Sequence, residues 1–347
     1  MARLLVTGGS GFIGGHVVTA ALRRGHHVVA LTRDGASPGP AHPRLVVASG
    51  DVRDPETVRH AAEGCDAVLH VAGLYTFDPA RAAEMLEVNA QGTRNVMECA
   101  LAAGVARIVY TGTVGTTDFS VRDTGRLPNE DDVAGRGAGM GPYKRSKLEA
   151  ERIVAEMAAQ GAPIVTVCPT APVGPGDHKP TPTGRIVVDF MRGRMFAYVE
   201  TGLNFVHVTD VAEGHLLALE RGRDGARYLL GSRDGNLTLA QAFGILSGIT
   251  GRRAPRVRVP CAMAVGFAHA TAAVCRALRR PPLVGPEAAR MASTPMWVDP
   301  SRSVAELGLP QTPVAEAFRE AVDWFAHHGY ANAPRSAAAA GSTAGRT

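Results

Sequence analysis

Tyr143 and Lys147 are four residues apart, in a stretch from Pro142 to about Ala159 whose pattern predicts a helix. That spacing sets both side chains on one helix face. A phenol with an ordinary pKa near 10 is a poor base at neutral pH, but a neighbouring ammonium favours the phenolate and lowers that value. Such a pair can pass a proton to or from a substrate oxygen while a hydride moves between carbon and a nicotinamide. Alone, it would read as a solvated helix face. Upstream, however, Gly8, Gly11 and Gly14 follow the apolar run Leu4-Leu5-Val6 in the spacing G-x-x-G-x-x-G. A helical pattern then opens at Phe12 and runs to about Arg24. A strand turning on glycine into a helix is the setting of a dinucleotide site. Gly8 permits the sharp turn, Gly11 lets backbone N–H groups approach a pyrophosphate, and Gly14 lets the helix pack closely. The first turn, with Phe12 and Ile13, offers N–H donors and the positive end of the helix dipole.

The elements that must position these groups alternate along the chain. Strands are predicted at His27–Thr32, Leu45–Val47, Asp66–Gly73 with its turn, Arg107–Tyr110 and Ile164–Pro169. Helices are predicted from Asp54-Pro55, over Ala83 to Ala103, and over the Tyr143 segment. This alternation predicts an α/β fold with a doubly wound parallel sheet, in which ligands sit beyond the strand C-termini. The end of the second strand selects the cofactor. Arg33 can pair with a 2′-phosphate and favours NADP(H), whereas Asp34 on the ribose hydroxyl would favour NAD(H). Residues 35–43 read as a loop.

Composition narrows the class. The chain has 347 residues, 45% hydrophobic and 20% charged, with a net charge of +5, which suits a globular protein of one large domain or two smaller ones. No nucleic-acid motif is present. The five cysteines form no C-x-x-C pair, so neither a metal site nor a disulfide framework is expected. The first strand opens within three residues, which argues against a signal peptide and for a cytoplasmic protein. The most apolar stretch, Cys261 to Cys275, contains His269 and falls short of the ~18–20 residues of a spanning helix. From Arg252 to Trp297, basic loops with Arg276, Arg279 and Arg280 alternate with that stretch. The segment reads first as a packing helix and second as a lip for peripheral contact with membrane or lipid. Phe318, Val322 and Phe325 recur at helical spacing and are expected in the core.

Five motifs now fall in one order: Gly8-Gly-Ser-Gly-Phe-Ile-Gly14, Gly50-Asp51-Val52, His70-Val-Ala-Gly73, Val88-Asn89-Ala-Gln-Gly-Thr93 and Tyr143-Lys-Arg-Ser-Lys147. In them the chain resembles the extended short-chain dehydrogenases/reductases. Val173 to Arg185 and Thr201 to Asp210 resemble a narrower group, the hopanoid-associated sugar epimerases, which sit beside dihydroflavonol reductases. The likeness runs to about Tyr330. It implies a Rossmann-type NAD(P)-binding domain over 1–170, with segments of about 205–232 returning to it, and a smaller C-terminal α/β substrate-binding portion over 171–330. The tail, 331–347, is expected to be disordered. The resemblance also implies that Asp51 meets the adenine and Val52 packs on it. Val71, Ala72 and Gly73 would line the cofactor path, Asn89 would order the core beside it, and Pro169 would sit near the nicotinamide. Thr113 is the implied third catalytic partner of Tyr143 and Lys147, with Thr111 its competitor and Thr116 or Thr117 lining the site. Lys147 would also hold the nicotinamide ribose.

Departures from the pattern inform the substrate. Val114-Gly115 stands where dehydratases carry Asp-Glu, so water elimination is not expected. Ala171 replaces an Asn, and Leu203-Asn204-Phe205 replaces an Arg-Asp-Tyr whose arginine grips a nucleotide diphosphate. An apolar Leu203 cannot neutralise that anion. Lys179, Arg185, Asn204 and Thr116 remain as polar candidates for a sugar-like ligand. His207 reads as structural and Asp210 as the N-cap of a helix over Val211 to Glu220. The expectation is an NADP(H)-preferring oxidoreductase acting on a secondary alcohol or carbonyl of a sugar-like or polyol small molecule, hopanoid-linked under the lip reading. The alternative is a sugar epimerase working through a transient ketone. A homodimer through the helices near Asn89 and Tyr143 is implied by the family.

Overall fold

A computed structural model describes residues 1–76, 78–135, 140–263, 266, 267, 271 and 294–331. The first half alternates strand and helix: β1 (Arg3–Thr7), α1 (Phe12–Arg23), β2 (His27–Thr32), β3 (Leu45–Ser49), α2 (Pro55–Ala62), β4 (Ala67–His70), α3 (Ala82–Leu86), α4 (Gly92–Ala102), β5 (Arg107–Thr111), α5 (Pro142–Ala159) and β6 (Ile164–Pro169). The Asp54 side chain caps α2 by accepting the Glu56 N–H, with proline at the first helical position. A π-turn over Glu87–Gln91 joins α3 to α4. The second half adds β7 (Ala171–Val173), α6 (Pro182–Met191), β8 (Ala197–Val199), β9 (Gly202–His207), α7 (Val208–Arg221), β10 (Arg227–Leu230), β11 (Asn236–Thr238), α8 (Leu239–Thr250), β12 (Val257–Val259) and α9 (Val314–His327).

Seven strands form one parallel sheet in the order β10-β6-β5-β4-β1-β2-β3. Leu5 of β1 is in register with Val29 of β2 and Val68 of β4, so the strand order reverses around β1 and opens a crevice at the C-terminal edge there. Strand alternation sends Leu4 and Val6 to one face, where Val17, Ala21, Val211 and Leu216 of α1 and α7 cover them. Leu5 and Val68 face the other way, under Val58, Val96, Met97 and Val154 of α2, α4 and α5. Both faces are covered, which is why the strands are apolar throughout.

A second layer consists of the three-stranded sheet β11-β9-β7 with α6, α8 and α9, and the pair β12–β8. Its core contains Phe190, Phe205, Phe243, Phe318, Val322 and Phe325. Between these elements α7 packs on α1, and β10 joins the large sheet beside β6. The start of α7 differs from the sequence expectation. His207 is the N-cap, its Nδ1 accepting the Thr209 N–H at 3.0 Å, so the helix begins three residues earlier than predicted. Asp210 instead accepts the Thr312 N–H at 2.7 Å and the Thr312 hydroxyl at 2.8 Å, fastening the approach to α9. Of the apolar segment Cys261 to Cys275, only 261–263, 266, 267 and 271 are described; His269, Arg276, Arg279, Arg280 and the tail 332–347 lie outside the described residues.

Buried polar ties cross the layers. The Thr7 hydroxyl meets His70 Nδ1 at 2.7 Å and also accepts the Ala72 N–H, while Thr93, which donates to the Asn89 carbonyl, lies 3.0 Å from His70 Nε2. These directions assign the proton to Nε2. His215 is bound by Thr111 Oγ1 at 3.0 Å and the Val211 carbonyl at 2.7 Å. At the sheet edge, buried Arg227 donates to Glu151 at 2.7 Å, to the Glu130 carbonyl, and to Thr116 and Thr117, joining β10 to α5.

Burial pushes His70 down to about 3, with the Lys147 charge adding to the effect, and burial pushes His215 down to about 4. Unfolded imidazoles take up protons below about 6.5 and the native ones do not. Stability is therefore fully present above that pH and is lost as pH falls toward 3–4. Chemical denaturation at pH 7 and pH 5 should show each histidine contributing a loss of about 2 kcal/mol at the lower pH. A flat profile would contradict this assignment. Arg227→Met removes the buried partner of Glu151, so urea unfolding should report a loss of about 3–5 kcal/mol; a loss under about 1 kcal/mol would show the pair to be neutral for stability.

Candidate active site

Gly8 has φ +71° and donates its N–H to the Leu31 carbonyl at 3.1 Å, which holds the turn over the end of β2. A Cβ on Gly8 would lie 2.7 Å from Ala72 Cα, so the turn after β1 sits directly against the turn after β4. A Cβ on Gly14 would strike the Gly8 carbonyl oxygen. Its smallness serves packing of the helix on the glycine turn itself. Gly11 is the N-cap of α1, with no side-chain cap and no acidic residue in the first turn, Phe12-Ile13-Gly14. The helix start thus presents N–H donors and positive dipole with no acidic side chain in its own first turn against them. These residues fit a dinucleotide pyrophosphate.

Arg33 is exposed just after β2 and forms no ion pair among the described residues. Asp34 turns back to accept the Ala36 N–H at 3.1 Å. Asp51 is chelated by Arg53 at 2.7 and 3.1 Å, and this guanidinium holds its carboxyl below the usual range. Arg53 was not foreseen; nothing in its spacing distinguishes it from the other surface arginines. Val52 is buried, in contact range of Gly92, and its carbonyl accepts from Asn95.

Lys147 occupies the centre of the arrangement. It is 6% exposed, its Nζ donates to the Thr111 carbonyl at 2.8 Å, and it lies 5.0 Å above the Tyr110 ring. The missing Cβ of exposed Gly73 points toward it at 4.0 Å. Burial lowers Lys147 to about 8, against the opposing fields of Cys168 and Glu151. At pH 7 it is still mainly the ammonium. Tyr143 lies one turn earlier on α5, 9% exposed, with Tyr75 packed on its ring at a centroid distance of 4.4 Å. Tyr75, in the loop after β4, carries no sequence signal of its own.

Asn89 is buried within the π-turn and clamps this arrangement. Its amide accepts the Leu74 N–H at 2.7 Å, donates to the Leu74 carbonyl at 3.0 Å and donates to Ser146 Oγ at 2.9 Å. Those bonds order the loop of Ala72 and Gly73. Val71 is half-buried against the core, and Pro169 is buried at the end of β6 in register with Leu230. Thr113 is half-buried and its hydroxyl accepts the Gly115 N–H at 3.1 Å, capping a short 3-10 turn. Its competitor Thr111 faces His215 with its hydroxyl.

Two of the four substrate candidates lie elsewhere. Thr116 is fully buried, donating to the Thr113 carbonyl and accepting from Arg227, so it supports the sheet edge. Asn204 is 1% exposed and spans Ser232, Asn236 and Thr170 with all its polar atoms engaged. Both expectations are corrected: these side chains hold strands together. Lys179 and Arg185 are exposed on the loop before α6 and its first turns. A cavity of about 1170 Å³ runs along another flank of α5, lined by Glu151, Val154, Ile164 and Arg227; neither the glycine turn nor Tyr143 borders it.

The model of the NAD-dependent epimerase/dehydratase family matches residues 4–231. A provisional dihydroflavonol 4-reductase from Synechocystis is 39% identical over 94% of this chain and 95% of its own length. Sterol demethylase protein B from Methylococcus capsulatus is 34% identical over 94% and 98%. Among solved structures, a nucleoside-diphosphate-sugar epimerase from Pseudomonas aeruginosa superposes with a TM-score of 0.77 at 26% identity, over 95% of this chain and 99% of that one. The chain belongs to the NAD-dependent epimerase/dehydratase family, the extended short-chain dehydrogenase/reductase enzymes with an NAD(P)-binding Rossmann fold.

Proposed function

We propose that the protein is an NADP(H)-preferring oxidoreductase that interconverts a secondary alcohol and a ketone, with Tyr143 as the acid/base. The observation that carries this reading is the buried Lys147 ammonium, donating to the Thr111 carbonyl one helical turn from the Tyr143 phenol and beside Gly73. A bound nicotinamide supplies or accepts the hydride. In the reducing direction Tyr143 donates its phenolic proton to the nascent alkoxide, and the ammonium at Lys147 stabilises the phenolate left behind. Thr113, two residues beyond β5, orients the substrate oxygen. Gly8, Gly11 and the first turn of α1 receive the pyrophosphate, and Arg33, without a carboxylate partner among the described residues while Asp34 is engaged in its own loop, receives the 2′-phosphate.

The substrate reading moves away from sugars. Asn204 and Thr116 are internal, Leu203 joins an apolar cluster with Tyr198 and Leu237, and Ala171 is buried. With no charged partner for a diphosphate at Leu203, these features support a carbonyl on a predominantly apolar skeleton, of the polycyclic kind named for the Methylococcus relative. A hopanoid-linked substrate falls in that class. The second reading, epimerisation through a transient ketone, is supported by the Pseudomonas neighbour and uses the same residues. It would show as retained NAD(P) and turnover without net redox change.

Tyr143→Phe should lower kcat by roughly 10²–10⁴ while NADPH binding, read by protein fluorescence, stays within about twofold. Retained turnover would remove Tyr143 from the chemistry. Arg33→Ala should raise the KM for NADPH by roughly tenfold or more, as expected for a lost charge-assisted hydrogen bond, with NADH unaffected. An unchanged NADPH/NADH ratio would show that Arg33 does not read the phosphate.

A further inference from the structure

Around the turn after α6 and along β12, the second layer combines arginines that have few carboxylate partners among the described residues with exposed apolar side chains. Arg192 and Arg194 flank the turn after α6, and Arg252 follows α8. Gly193 has φ +68°, and Arg252 Nη1 lies 3.0 Å from where its Cβ would be, which seats that guanidinium on the turn between the other two. The three arginines line a cavity of about 730 Å³ together with Met191 and Tyr330. Arg192 donates to the Tyr330 carbonyl at 2.6 Å. Arg253, Arg256 and Arg258 continue the basic surface along β12, all exposed. Among the described residues, Glu200, 3.6 Å from Arg258, is the one carboxylate within ion-pair distance of these six guanidiniums.

The apolar component is independent of that charge. After Met1, the most exposed large hydrophobics among the described residues are Phe196 at 82%, Phe267 at 68%, Met263 at 66% and Val257 at 57%. Single exposed hydrophobics are ordinary, but these four fall at β8, at β12 and in the helical backbone just after it. Phe196 immediately precedes Ala197, whose register partner is Val257. No helix among the described residues is long and apolar enough to cross a membrane.

We infer that this face docks on a bilayer surface carrying anionic phospholipids. Headgroup phosphates occupy the cavity among Arg192, Arg194 and Arg252, and Phe196 enters the interfacial region. Charge complementarity selects this partner: the guanidiniums of Arg192, Arg194 and Arg252, which have no carboxylate within ion-pair distance among the described residues, bind phosphate oxygens, and the exposed Phe196 needs an apolar phase that free phosphate or nucleic acid does not provide. The inference does not rest on the proposed reaction.

Cosedimentation of the full chain with phosphatidylcholine vesicles containing about one-third phosphatidylglycerol tests it. The protein should bind these vesicles, ignore pure phosphatidylcholine and release as salt rises. The triple variant R192Q/R194Q/R252Q should lower the partition constant on the order of a hundredfold, and Phe196→Ser roughly tenfold. Both variants should keep the wild-type circular dichroism and NADPH affinity. Absence of binding to the anionic vesicles, or a triple variant that binds like wild type, overturns the proposal. Tighter binding to duplex DNA than to the vesicles, with Phe196→Ser unaffected, overturns it in favour of nucleic acid.

Discussion

An ammonium held out of water at Lys147 is the constraint on which the site depends. An isolated buried cation is costly to desolvate, by several kcal/mol even after relaxation. This one is offset locally by the Thr111 carbonyl at 2.8 Å and the face of Tyr110. The field of Glu151, one helical turn further along α5 and held by Arg227, opposes deprotonation. The result is a positive charge that survives at neutral pH one turn from a phenol. Three of the chain's 37 basic residues are lysines, Lys144, Lys147 and Lys179, so a compact ammonium stands where arginine is the usual choice. A guanidinium, planar and larger, would not occupy the space beside Gly73 in the same way.

The sheet topology supplies the rest. Reversal of strand order at β1 brings the turns after β1 and β4 together, and glycine at 8 lets them touch. Asn89 then ties the loop after β4 to α5 through Leu74 and Ser146, so the cofactor turn and the Tyr143 helix share one clamp. The π-turn that carries Asn89 is the kind of helix irregularity often found at functional sites. Thr7, His70 and Thr93 form a second, buried tie under the same crevice.

What the sequence disclosed follows from the range of each signal. The glycine turn, the Tyr143–Lys147 pair and the strand–helix alternation are encoded over a few residues, and α5 occupies the predicted Pro142–Ala159. Phe318, Val322 and Phe325 likewise reach the core through helical spacing alone. Failures came where a polar side chain had its partner far away. Thr116 pairs with Arg227, 111 residues on, and Asn204 closes on Ser232 and Asn236. Asp210 was read as a local cap because its partner, Thr312, lies 102 residues downstream, while an imidazole at His207 took the capping place. Tyr75 meets Tyr143 only through the fold. Polarity marked these residues, and topology decided whether each faces a ligand or another strand.

The scarcity of lysine makes the central claim directly measurable. Proton-detected carbon NMR of protein labelled at the lysine Cε atoms should give three resonances, with Lys147 assigned by its loss in Lys147→Arg. The account predicts that the Lys147 signal titrates with a midpoint of about 8. A midpoint at the ordinary lysine value near 10.4 would mean that this ammonium is solvated, and the arrangement described around Tyr143 would be contradicted.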